Sequence, residues 1–103
     1  MVKFTSEAFS DLEEFEKEVR RKLLDEIEEK LEESREDAKI TVIQRPSYGA
    51  EFHRLKLKEN GLNHRIYFDY VNSEIYVFAV RHREYAYSRQ DIKEAIKRLK
   101  QLR

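Results

Sequence analysis

The chain has no cysteine, one proline and two glycines in 103 residues. Without thiols, disulfides and thiolate metal sites are excluded, which suits a reducing compartment. No apolar run approaches membrane-spanning length, and the N-terminal MVKFTSEAF lacks the hydrophobic core of a signal peptide, so the expected location is the cytoplasm with no membrane partner. Scarce Gly and Pro leave few places to turn. Arg45 to Ala50, with Pro46, Tyr48 and Gly49, marks one clear loop, and ENGLN (59–63), with Asn60 and Gly61, marks a positive-φ turn.

What is present argues for a folded single domain over residues 1–103. Charged residues make up 41%, but a 40% hydrophobic fraction with 12% aromatics is too apolar for disorder. The formal net charge of zero conceals an asymmetry: residues 1–43 carry 8 Lys/Arg against 14 Asp/Glu, and residues 44–103 carry 13 against 7. An acidic run is commonly a solvated face, whereas a basic half can meet phosphate.

Met1 to Phe4 reads as a short strand, followed by Thr5 and Ser6 as N-cap candidates with Glu7 placed at the positive helix end. Phe9, Leu12, Phe15, Val19, Leu23, Ile27 and Leu31 then recur at helical spacing. Periodicity does not decide between one long helix over 6–35 and two helices broken near Glu16 and Lys17; a hairpin is the more compact choice for a small core. Past Lys39 the period changes. Ile40 to Gln44 is β-branched and short, and three further strands follow: EFHRLKLK (51–58), HRIYFDYV (64–71) and EIYVFAV (74–80), the last apolar on both faces. Ser88 with Asp91 resembles a capping box, after which Ile92, Ala95, Ile96, Leu99 and Leu102 predict a closing amphipathic helix.

The expected fold is α+β, an N-terminal strand and helix hairpin on an antiparallel sheet of about four strands, with a C-terminal helix. If the apolar strand faces pack on the helices, the other sheet face is open to solvent. Arg54, Lys56, Lys58 and Arg65 are expected on or beside that face, with VRHREYAYS (80–88) closing one end. Arg, Lys and Tyr converging on a sheet surface suit phosphate charge and base stacking together. A lysine-rich strand face taken alone is more often a solvated edge; the combination raises the functional odds. His53, His64 and His82 show no metal-ligand spacing, so no metal or cofactor is expected, while His82 beside Arg83 is a candidate acid, base or substrate contact.

From Phe52 to Leu102 the chain resembles the RelE/ParE toxin superfamily, with a basic strand, an arginine-bearing strand, an apolar strand ending in arginine, and a tyrosine before the last helix. KFTSEAFSDLEEFEKEVRRKLLDEIEE is similar to that family's opening strand and helix hairpin. The resemblance implies a RelE-like toxin: a metal-independent, ribosome-dependent endoribonuclease that cuts mRNA in the ribosomal A site, silenced by a cognate antitoxin in a hetero-oligomer. It places Arg54 and Lys56 on the catalytic basic pair, Lys58 on a further basic position of that strand, Arg65 and Arg83 on the two motif arginines, and Tyr87 on the tyrosine. Chemically, Lys56 between cations suits a base for the 2′-hydroxyl, Arg65 a phosphate clamp, Arg83 the leaving group, and Tyr87 stacking or proton transfer. The alternative is a non-enzymatic ParE-like toxin that binds DNA gyrase, or a catalytically weak homologue acting as a binding module.

Overall fold

A computed structural model of the chain describes residues 2–103. The elements run β1 (Val2–Phe4), α1 (Ser6–Glu13), α2 (Lys17–Glu28), β2 (Lys39–Arg45), β3 (Ala50–Leu57), β4 (His64–Val71), β5 (Glu74–His82) and α3 (Arg89–Leu102). Met1, the first residue of the expected opening strand, lies outside the described residues. The fold is α+β as expected, but the sheet has five strands in the order β1-β5-β4-β3-β2. It is mixed: β2 to β5 form an antiparallel meander, and β1 pairs in parallel with β5. Parallel pairing is forced by connectivity, because the α1–α2 hairpin carries the chain away from β1 and the meander returns to it last.

The helical stretch is a hairpin, broken between Glu13 and Lys17 where the apolar period slips. Thr5 caps α1, its Oγ1 accepting the Ala8 N–H at 3.1 Å. Beyond Glu28 the second helix loosens into a π-helical turn, Glu29–Glu33, and a 3₁₀ turn, Arg35–Asp37, before β2.

Alternation along the strands sorts two cores. Leu55, Leu57, Ile66, Phe68, Val77 and Val80 face Leu12, Leu23, Ile27 and Leu31 of the hairpin. Phe52, Tyr67, Phe78 and Ala79 face Ile92, Ala95, Ile96 and Leu99 of α3. Contrary to the expectation from sequence, the second sheet face is therefore not open throughout; α3 covers it over Phe52, Tyr67, Phe78 and Ala79. That cover explains why β5 is apolar on both faces while lying next to the edge strand. A bulge adds to it: Tyr67 pairs with Ala79 and Phe68 with Val77, leaving Phe78 as an extra residue that joins the α3 side.

Since β1 pairs only with Ile75 to Val77, the outer edge of β5 has no strand beside it from Phe78 onward. Side chains satisfy that edge instead. Asp11 of α1 accepts the Val80 N–H at 2.9 Å, and Arg98 of α3 donates to the Phe78 carbonyl at 3.0 Å and to both Asp11 oxygens at 2.7 and 3.1 Å. Arg81 completes the network, reaching Asp11 at 2.9 Å and Asp91 at 2.7 Å.

Removing one member of such a pair strands the other charges. Asp11→Ala should lower the unfolding free energy by about 3 kcal/mol, read from urea denaturation midpoints. A wild-type midpoint would show that the Asp11 network contributes no stability.

Candidate nucleic-acid interface

On the α3 side of the sheet, beyond the N-terminus of that helix, the strand registers bring cations into line. Lys39 of β2 lies opposite Lys56 of β3, Lys56 opposite Arg65 of β4, and Arg65 opposite Arg81 of β5. Directly opposed residues share a face, so four cations form one cross-strand row, an arrangement unfavourable on its own. Only Arg81 is neutralised, by Asp11 and Asp91. Burial would lower its pKa, and these two carboxylates more than reverse the effect. Among the described residues no carboxylate makes an ion pair with Lys39, Lys56 or Arg65. The Lys56 pKa is accordingly lowered, first by Lys58, then by partial burial, Arg65 and Arg54.

The adjacent row holds Thr41, Arg54 and Tyr67. Arg54 donates from Nη2 to Thr41 Oγ1 and from Nη1 to the Tyr87 hydroxyl at 3.0 Å, with its guanidinium 5.9 Å from the centre of the Tyr87 ring. Tyr87 has a left-handed backbone, φ 69°, which is uncommon for a bulky L-residue. Its N–H donates to Asp91 Oδ2 at 2.9 Å and to the Tyr67 hydroxyl at 3.3 Å, while that hydroxyl donates to the same Asp91 oxygen at 2.6 Å. Burial and the Asp91 carboxylate push the Tyr67 pKa well up, so Tyr67 stays a donor. Asp91 is also held at the α3 start, where its N–H donates to Ser88 Oγ at 3.1 Å. One carboxylate thus holds the backbone of Tyr87 and, through Tyr67, fixes where its side chain is presented.

The structure brings Arg54, Lys56 and Tyr87 together, with Lys58 just past the end of β3. Arg65 joins them from beneath: it is only 3% exposed, and its Nη1 donates to the His64 carbonyl at 3.1 Å and to Asn63 Oδ1 at 3.4 Å. Its Nε has no partner. Arg83 opens an exposed 3₁₀ turn (Arg83–Tyr85), tied to this end of the sheet by its backbone N–H, which donates to the Asn63 carbonyl at 2.9 Å. Among the described residues the Arg83 side chain forms no hydrogen bond or cation–π contact with the other candidates. His82 is not brought to the cluster: it pairs with His64 and so lies on the hairpin face, with its ring 5.2 Å from that of His64. Lys39, Thr41, Tyr67 and Asp91 were not among the sequence candidates. Asp91 was visible only as a cap, and the β2 residues carry no signal until their register is known.

The model of the family described as ParE toxin of type II toxin–antitoxin system, parDE, matches residues 2–87. No curated protein matches the chain. By that family match the chain is a toxin of a type II toxin–antitoxin system, whose partner is a cognate antitoxin. The chain belongs to the ParE toxin family. No helix among the described residues is long and apolar enough to cross a membrane.

His64, next to Arg65, gives this end of the sheet a pH dependence. It is buried, its Nδ1 accepts the Asn63 N–H at 3.1 Å, and Phe15 stands edge-on at 5.0 Å. Burial, then His82 and Arg65, lower its pKa from 6.5 to about 4. The unfolded chain binds this proton first as pH falls, so the stability contributed by neutral His64 is present above pH 6.5 and is lost as pH falls to about 4. The loss should total roughly 3 kcal/mol. Urea midpoints measured across this window should fall in wild type and fall less in His64→Phe; parallel curves would contradict the assignment.

Proposed function

We propose that this toxin is a metal-independent endoribonuclease that cleaves translated mRNA in the ribosomal A site. The observation that carries the reading is Lys56: a lysine with lowered pKa, among cations that have no carboxylate partner, beside an Arg54–Tyr87 pair held in fixed geometry. RNA supplies its own nucleophile. Lys56, when neutral, takes the proton of the 2′-hydroxyl as the 2′-oxygen bonds to phosphorus. Arg54 binds the phosphate, and Arg65 adds positive charge from below as the phosphorane develops. The bond to the 5′-oxygen then breaks, leaving a 2′,3′-cyclic phosphate. Tyr87, whose hydroxyl accepts from Arg54 and keeps its own proton to give, protonates the departing oxygen. Arg83 stabilises that side, and Lys58 holds a neighbouring phosphate. His82 takes no part. The toxin acts when released from its hetero-oligomer with the antitoxin.

Two observations favour a second reading, a non-enzymatic toxin directed at DNA gyrase. The matching family carries the ParE description, and Arg65 is buried with its guanidinium turned to Asn63 and His64.

Induced expression followed by mapping of mRNA 5′ ends, with and without translation, and measurement of plasmid supercoiling in the same cultures separates the two. The nuclease produces new 5′ ends only on translated mRNA. Arg54→Ala and Lys56→Ala should each reduce them by about 100-fold or more, and Tyr87→Phe, which keeps the ring, should also lower them. All three should keep a near-wild-type melting temperature, because these side chains are at least partly solvated. Intact mRNA with altered supercoiling would overturn the proposal.

A further inference from the structure

The cationic row extends beyond the residues assigned to cleavage. Lys39, on edge strand β2, lies opposite Lys56 on the same face and is exposed. Two strand spacings, about 10 Å between backbones, separate it from Arg65, whose buried guanidinium is turned to Asn63 and His64 rather than toward the β2 edge. We propose that Lys39 is a second phosphate subsite, so that this face takes a single-stranded polynucleotide running across the strands and leaving over the β2 edge. The proposal rests on the ribonuclease reading.

Polarity comes from the two ends of the row. At β5 the charge of Arg81 is consumed by Asp11 and Asp91, and these two carboxylates disfavour an anion at that end. At β2 no further strand follows, so the row opens to solvent. Glu26, Asp37 and Glu59 border a hollow shared with Lys39, Lys56 and Lys58 but make no ion pair with these lysines; Glu59 pairs with Lys30 at 3.7 Å. Arg65 in the row and Arg54 in the next row leave Nε without a hydrogen-bond partner, but so do Arg20 and Arg98 away from it. The subsite therefore rests on the unpaired charge of the row and its open end. The competing role for Lys39 is to block edge-to-edge pairing of β2.

The test is binding of a fluorescent single-stranded oligodeoxynucleotide, which lacks the 2′-hydroxyl and is not cut, followed by anisotropy over a series of salt concentrations. Each phosphate contact contributes about 0.7 to the slope of log affinity against log salt for single strands. Lys39→Ala should weaken binding several-fold and reduce the slope by about that amount. Lys39→Arg should retain the slope, and Lys97→Ala, on the exposed side of α3, should leave it unchanged. A wild-type slope in Lys39→Ala overturns the subsite; if self-association rises instead, Lys39 is an edge guard. Should the subsite fail while wild type still cuts translated mRNA, the ribonuclease reading stands without it. Wild-type protein that neither binds the oligonucleotide nor cuts mRNA overturns both.

Discussion

The Arg81 guanidinium lies between two carboxylates from different helices, Asp11 of α1 at 2.9 Å and Asp91 of α3 at 2.7 Å. Its strand leaves its β1 neighbour at Val77, so the charges of Asp11, Arg81 and Arg98 lie where a sheet edge would otherwise be bare. Satisfying that edge with side chains joins both helical layers to β5, and it fixes where α3 starts. A salt bridge in this position is weak evidence for stability gained over an apolar alternative, but it is strong evidence for registry, since any shift of α3 along the sheet would strand a buried charge.

From that registry the candidate site follows. With α3 starting at Arg89, its apolar residues cover Phe52, Tyr67 and Phe78 but stop short of Arg54, Lys56 and Lys39. The same Asp91 that meets Arg81 also takes the N–H of Tyr87 and the hydroxyl of Tyr67, holding Tyr87 in a left-handed backbone with its hydroxyl on Arg54. One end of the cation row is neutralised by the fold and the rest is left unpaired. Like charges opposed across strands cost stability, and strained backbone costs more. Both persist here at the same place, a pattern expected of a site that meets an anionic ligand rather than of a solvated strand end.

Much of this was legible in the residues. Alternation in HRIYFDYV and EFHRLKLK separated the strand faces correctly, and Ser88 and Thr5 announced the helix starts they cap. The second helical layer was missed because alternation says which residues share a face and not whether that face is covered. The clue lay in EIYVFAV, whose two apolar faces require cover on both sides. Parallel β1 was hidden for a related reason: three residues carry a strand signal but no information on their partner. Lys39 and Thr41 could not be placed because their positions depend on the register set by the turn from Pro46 to Gly49. Arg65 was expected at the surface, but the residues beside it in β4, His64 and Tyr67, are buried and draw it under. His82 follows from the same period of two, which sends it to the face opposite the cluster.

The central physical claim is that Lys56 sits in a cationic row in which, Arg81 apart, no member forms an ion pair with a carboxylate among the described residues. Its ammonium titration, followed by NMR of isotopically labelled lysine in the free toxin and again with a saturating single-stranded oligodeoxynucleotide, tests this most directly. The account predicts a pKa below the ordinary lysine value of 10.5 in the free protein, and a rise toward or above it when phosphates occupy the row. An unshifted Lys56 that ignores the oligonucleotide would contradict it.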